Sequence, residues 1–245
     1  MEKELARSIE KNIRASELAS RMEQHLKTNN RSFLPKDISD AVGLAINEAG
    51  QSQSNTDMMG QKMWRARKHI NGEKAFSEGE MGAPPHHLSL NGRISPAGIS
   101  CLYLADSVDT AIAETRPWKG VALSVAQFRL TRKLRLADFR KRQINKGVLV
   151  DGKDLSDEFR ALVYIGAFAF YTPAQDGRAI DYAPSQYVSS RLRHEGYDGI
   201  LYTSMMHKDG FNVALFCHTD AEIVVGSVKR YRVDSVQIKS RTVNN

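Results

Sequence analysis

From residue 60 onward the chain breaks into short apolar runs separated by turns, and the longer helical stretches among them follow no regular alternation. A doubly wound parallel sheet needs strand and helix to alternate, so this texture favours an α+β fold over a doubly wound sheet. Lys62–Arg67, Ser100–Ala105 and Val121–Arg129 read as strands, and Leu134–Leu136 as a short edge strand. Ile200–Tyr202 and Asn212–Phe216 read as a strand pair about a turn, with Glu222–Gly226 as the last strand. Glu158–Tyr171 and Pro184–Glu195 read as helices, the second ended by Gly196.

The first 58 residues differ in kind. Residues 2–27 carry Leu5, Ile9, Ile13, Leu18, Met22 and Leu26 at helical spacing. Pro35-Lys36-Asp37 opens a second helix through Ile38, Ala41, Val42, Leu44 and Ala45, which stops near Gly50. The polar run Gln51–Asp57 then reads as a linker. The expected organisation is a helical extension over residues 1–58 and a main domain over 59–245. The extension is too small for a robust core of its own, so it is expected to pack on the main domain or pair with another molecule.

With 41% hydrophobic residues, the chain can build a core without disulfide or metal support. No apolar run approaches the roughly 20 residues that cross a bilayer. Met1-Glu2-Lys3-Glu4 opens on charge rather than on a signal peptide. Cys101 and Cys217 lie in strand-like runs and read as buried free thiols. Together these features point to a cytoplasmic protein with no membrane partner. The net charge of +7 concentrates where Arg129, Arg132, Lys133, Arg135, Arg140, Lys141 and Arg142 meet only Asp138. No zinc-finger spacing, RNA-recognition signature or basic recognition helix accompanies it, so a solvated face, an anionic small molecule or an acidic protein partner fits better than nucleic acid.

Several common sites are excluded. The chain has no G-x-x-x-x-G-K-[ST] loop, no G-x-G-x-x-G fingerprint and no G-x-S-x-G elbow. His86-His87 are adjacent and lack a cysteine or acidic cluster, so no metal site is expected. What remains is concentrated between Asn91 and Glu114. A Gly- and Pro-containing loop with Arg93 leads to Leu102-Tyr103-Leu104-Ala105, and a small-residue helix then delivers Glu114. An arginine, an aromatic ring and a carboxylate so close in sequence suit an anionic, ring-bearing, glycosidic substrate such as a dinucleotide. Taken singly, Arg65, Arg93, Tyr103, Glu114 and Ser204 each have an ordinary reading as surface, turn, core, helix-end or turn residues.

Their joint order resembles the RES domain family, named for its Arg, Glu and Ser. The resemblance rests on Trp64-Arg65, the loop Gly92-Arg93-Ile94-Ser95-Pro96-Ala97-Gly98, Tyr103, and Ala111 to Glu114. It continues through Tyr182 to Gln186, Gly196-Tyr197-Asp198-Gly199-Ile200-Leu201-Tyr202-Thr203-Ser204, and Asn212 to Phe216. Ser95 stands where the family loop commonly has Asn, Arg140 to Gly177 is longer than in compact members, and residues 1–58 lie outside the resemblance.

The resemblance implies an ADP-ribosyltransferase-like α+β fold of mixed or antiparallel sheets with flanking helices, and an enzyme that degrades NAD+ as substrate, with water or phosphate as acceptor and no cofactor. It implies Arg65, Tyr103, Glu114 and Ser204 as catalytic residues, and Arg93, Gln186, Tyr202 and Asn212 as NAD+-binding residues. Many such proteins are toxins held in check by an antitoxin; an effector with an immunity protein, delivered without a signal peptide, is the competing scheme. The same site could pass ADP-ribose to a macromolecule, and a non-catalytic basic binding module is the remaining reading. Residues 1–58 could self-associate, cover the site or bind an inhibitor.

Overall fold

The structure is a computed structural model that describes residues 2–52, 58–69, 74–140 and 179–237, with Thr242. Its centre is an eight-stranded mixed sheet. The strands are β1 (Lys62–Lys68), β2 (Leu102–Ala105), β3 (Ala122–Leu130), β4 (Leu136–Phe139), β5 (Gly199–Thr203), β6 (Phe211–Leu215), β7 (Ala221–Ile223) and β8 (Lys229–Arg232). They lie in the order β4-β5-β6-β2-β1-β3-β7, with β8 also pairing β3. Every pairing is antiparallel except β4 with β5. Among the described residues four α-helices accompany the sheet: α1 (Glu2–Thr28), α2 (Lys36–Ser52), α3 (Val108–Glu114) and α4 (Ala183–His194).

Successive side chains of a strand point to opposite faces, which splits the apolar residues into two cores. On one face Leu102, Leu104, Leu201, Val213 and Leu215 join Met63, Met81 and Phe128. On the other, Ile200, Tyr202 and Ala214 pack with Val188 and Leu192 of α4. The N-terminal helices belong to this second core: Met22 and Leu26 of α1, with Ile38, Val42, Ala45 and Ile46 of α2, are buried in it. Lys27 pairs with Asp181 at 3.4 Å, and the Tyr197 hydroxyl donates to the Ile46 carbonyl at 3.2 Å. The apolar stripe of α1 fails toward its start, where Ile9 and Ile13 are 51% and 55% exposed; Leu44 of α2 is 60% exposed. Helical spacing alone cannot tell how far along a helix its neighbour reaches.

Other expectations shift. The edge strand is Leu136–Phe139, later than Leu134–Leu136, because β4 must register with Gly199–Tyr202 of β5. Residues 224–226 are not strand, and β8 follows β7, so Glu222–Gly226 is neither the strand's extent nor the last strand. Helix α2 runs through Ser52, taking the first two residues of the expected linker. Residues 53–57 and the expected helix at 158–171 lie outside the described residues. Cys101 is buried, but Cys217 is exposed because β6 ends at Leu215.

Within the basic stretch Arg129, Arg132 and Arg140 are paired with carboxylates, while Lys141 and Arg142 lie outside the described residues. Arg132 grips Asp198 through Nη2 at 2.6 Å and Asp220 through Nε at 2.9 Å. Arg129 pairs with Glu222, Arg140 with Asp138, and the Arg135 guanidinium lies 4.1 Å from the centre of the Tyr197 ring. Asp198 also accepts the Arg135 N–H at 2.7 Å, so the acid of the Gly-x-Asp-Gly segment ties the β5 entrance to the loop before β4. Gly196 closes α4 at φ 77°, a left-handed conformation that glycine adopts without a Cβ penalty.

Candidate active site

Helix α3 starts cleanly because Ser107 caps it, its hydroxyl accepting the Thr110 N–H at 3.1 Å. Seven residues later it ends on Glu114. The carboxylate is exposed, yet its Oε1 accepts the Ser204 hydroxyl at 2.7 Å and the Asn212 Nδ2 at 2.6 Å. Among the described residues Oε2 receives no bond. One oxygen is therefore anchored and the other is left without a protein hydrogen bond among the described residues.

Both anchors are well placed to hold position. Asn212 is 3% exposed and stands in β6 opposite Ala105 of β2 and Tyr202 of β5. Ser204, 6% exposed, follows β5. Its oxygen accepts the N–H groups of Met206 at 3.1 Å and His207 at 3.0 Å. With both lone pairs engaged, the one hydroxyl proton is left for Glu114. Ser204 and Asn212 thus both hold the carboxylate.

Strand alternation puts Tyr103, Tyr202 and Asn212 on one sheet face. Burial pushes the Tyr103 phenol well up, and the Ser95 side chain and Ile94 backbone bond it. Tyr202 is likewise raised by burial, then by Tyr103 and Glu114, while Arg93 pulls it down. These influences bring Arg93, Tyr103, Glu114 and Tyr202 into one electrostatic neighbourhood. Gln186 of α4 contributes differently. Its amide donates to Asn91 Oδ1 at 2.8 Å and to the Gly92 carbonyl at 2.7 Å, which commits both amide protons to the loop that carries Arg93.

Arg65 completes the group. β1 and β2 share a single register pair, Trp64 with Ala105, and beyond it Arg65 Nη1 donates to the Tyr103 carbonyl at 3.1 Å. The side chain is half-buried overall, but its Nε is sealed from solvent without a partner. Burial, with repulsion from Arg67, pushes its pKa down to about 10, so it stays cationic at neutral pH. A buried donor on a cation costs free energy unless something accepts from it, which makes Arg65 suited to an anionic ligand.

Sequence reasoning missed two members. Thr110, fully buried, lies one turn before Glu114 on α3, and His207 Nδ1 sits 2.9 Å from its Oγ1. Helical spacing from Glu114 could have flagged Thr110; nothing in the sequence pairs it with a histidine 97 positions away. Among the described residues no group of three His, Cys, Asp or Glu side chains could hold a metal ion. No described helix is long and apolar enough to cross a membrane.

Among solved structures, that of the M. tuberculosis MbcT-MbcA toxin-antitoxin complex aligns with 79% of this chain and 92% of its own, at 13% identity and a TM-score of 0.41. Curated proteins give no match. The family model of the RES domain matches residues 62–234, a span that holds all eight strands and every residue of the site just described, and the chain belongs to the RES domain family.

Proposed function

We propose that this protein degrades NAD+ by cleaving the nicotinamide–ribose bond and passing ADP-ribose to water or phosphate. The observation that carries the reading is the Glu114 carboxylate, held at Oε1 by Ser204 and Asn212 with Oε2 left open. Rupture of the glycosidic bond builds positive charge on the ribose, and nicotinamide leaves neutral, so the reaction needs a fixed carboxylate more than a strong acid. Glu114 supplies that carboxylate and can orient a ribose hydroxyl. Arg65, with Arg93, takes the pyrophosphate through charge-assisted bonds, and the Tyr103 and Tyr202 rings line the nicotinamide side. Ser204 and Asn212 aim Glu114, while Gln186 holds the Arg93 loop; in this reading they support the substrate contacts rather than make them.

An enzyme that removes a central cofactor harms the cell that makes it, so the reading extends to a toxin restrained by a protein that blocks the pocket. An antitoxin and an immunity protein meet that need equally.

The test is nicotinamide release from NAD+ by the purified protein, with and without phosphate and with added cell macromolecules. Free ADP-ribose identifies hydrolysis, ADP-ribose 1″-phosphate identifies phosphorolysis, and label retained on a macromolecule identifies transfer. No release under any condition would overturn the enzymatic reading and leave a binding module. Inducible expression, with growth and NAD+ followed together, tests the toxin reading; normal growth at undiminished NAD+ from soluble protein would refute it.

A further inference from the structure

The loop from Ser204 to Gly210 touches α3 at two points one helical turn apart. At Glu114 the contact is the Ser204 hydroxyl. At Thr110 it is the His207 ring, with Nδ1 2.9 Å from Oγ1. Residues four apart share a helix face, so both contacts lie on the same side of α3. Thr110 is itself fixed, for its Oγ1 is 2.8 Å from the Ser107 hydroxyl that caps the helix. The loop presses close here: a Cβ on Gly210 would collide with Thr110 Oγ1 and lie 3.1 Å from His207 Nδ1. Ser204 N–H donates to the Gly210 carbonyl at 2.8 Å, closing the loop on itself.

We propose that His207 is the positioning residue of this site, locking the rotation of α3 through Thr110 and thereby the direction of the Glu114 carboxylate. A helix of seven residues has little stability of its own, and Glu114 is its last residue, where a helix frays. Ser204 and Asn212 hold α3 only at its last residue, and the His207 contact at Thr110 adds a second fixed point one turn earlier. His207 also acts on the first contact, because its backbone N–H is one of the two that occupy the Ser204 oxygen and direct the hydroxyl proton to Glu114. The catalytic consequence rests on the reading that Glu114 acts on NAD+; the clamp itself does not.

The bond uses Nδ1, and this decides the test. The side-chain amide of asparagine can occupy the place of Nδ1, whereas that of glutamine reaches toward Nε2. In the full-length protein, His207→Ala and His207→Gln should lower kcat for nicotinamide release by about tenfold with KM within twofold, and His207→Asn should restore most of it. Thr110→Val should give the same loss, and combining it with His207→Ala should add little, since the two act as one unit. Amide exchange of Ala111 to Glu114 reads the clamp without turnover: it should quicken in His207→Ala and recover in His207→Asn. Unchanged exchange in His207→Ala overturns the clamp whether or not the protein cleaves NAD+. Quickened exchange with wild-type kcat overturns the catalytic consequence. Wild-type protein that releases no nicotinamide, with exchange behaving as expected, refutes the NAD+ reading and leaves the clamp standing.

Discussion

Asn212 donates to Glu114 Oε1 at 2.6 Å across 98 positions of sequence, joining the central strand β6 to the last residue of α3. Asn212 is buried and Glu114 exposed, so the sheet lends its rigidity to a carboxylate at the surface. This is the arrangement expected where a charge must be both accessible and fixed.

Glu114→Gln tests that charge in isolation. The glutamine carbonyl oxygen can still accept from Ser204 and Asn212, so the fold and the side-chain position are retained while the negative charge is lost. Nicotinamide release should fall by about 10²–10³, the usual cost of removing one electrostatic stabiliser of a transition state. The thermal midpoint should stay near that of the wild type. Wild-type turnover in a folded variant would remove Glu114 from the mechanism.

Arg65 should show opposite effects on activity and stability. The folded chain releases the Arg65 proton near pH 10, before the unfolded chain does, so burying this cation costs stability at neutral pH. Arg65→Met should therefore abolish NAD+ cleavage while holding or raising the thermal midpoint at pH 7. Arg65→Lys should keep a charge but lose the planar fork, raising KM by tenfold or more. Wild-type kinetics of Arg65→Lys at limiting NAD+ would dismiss the forked contact.

Tyr103, Tyr197 and Tyr202 have phenols raised by burial, so the unfolded chain ionises first as the pH climbs past about 10. Stability from these groups is complete below that pH and falls above it. Arg65 works in the other direction over the alkaline range, one group against three. The thermal midpoint should decline above about pH 10, and less steeply in Tyr202→Phe. Identical slopes in the two proteins would show that Tyr202 does not take part.

Leu26 is fully buried where α1 meets α4. Leu26→Ala should cost about 2–5 kcal/mol in denaturant unfolding, as for other buried leucines. The kcat of the protein that remains folded should be unchanged. A cost below about 1 kcal/mol would mean that α1 contributes little to this core.

How much of this the sequence revealed depends on the range of each signal. β1 and β3 read clearly because Lys62–Arg67 and Val121–Arg129 alternate, and period is local. β4 and β7 were displaced because their limits are set by partners, Gly199–Tyr202 and Phe128–Leu130, that lie elsewhere in the chain. β8 was missed since Lys229–Arg232, with three of its four residues exposed and basic, carries no apolar signature; it is a strand because β3 offers a free edge. At the site, residue order singled out Arg65, Tyr103, Glu114, Ser204 and Asn212. It could not say that Ser204, Asn212 and Gln186 spend their hydrogen bonds on protein groups, nor that His207 reaches Thr110. Those facts belong to side-chain geometry. The ion pairs of Arg129 and Arg132 were hidden for the same reason: Asp198, Asp220 and Glu222 are distant in sequence.

The position of Asn212 in the chain also sets when the site can first exist. Ribosomes add about 5–20 residues per second, so Glu114 precedes Asn212 by about 5–20 s during synthesis. For most of that interval neither β5 nor β6 has been made, and even after Ser204 is added β2 still lacks β6 beside it and Asn212, the second anchor of the carboxylate. The carboxylate therefore gains its full set of anchors only once β6 is made, late in the synthesis of the chain.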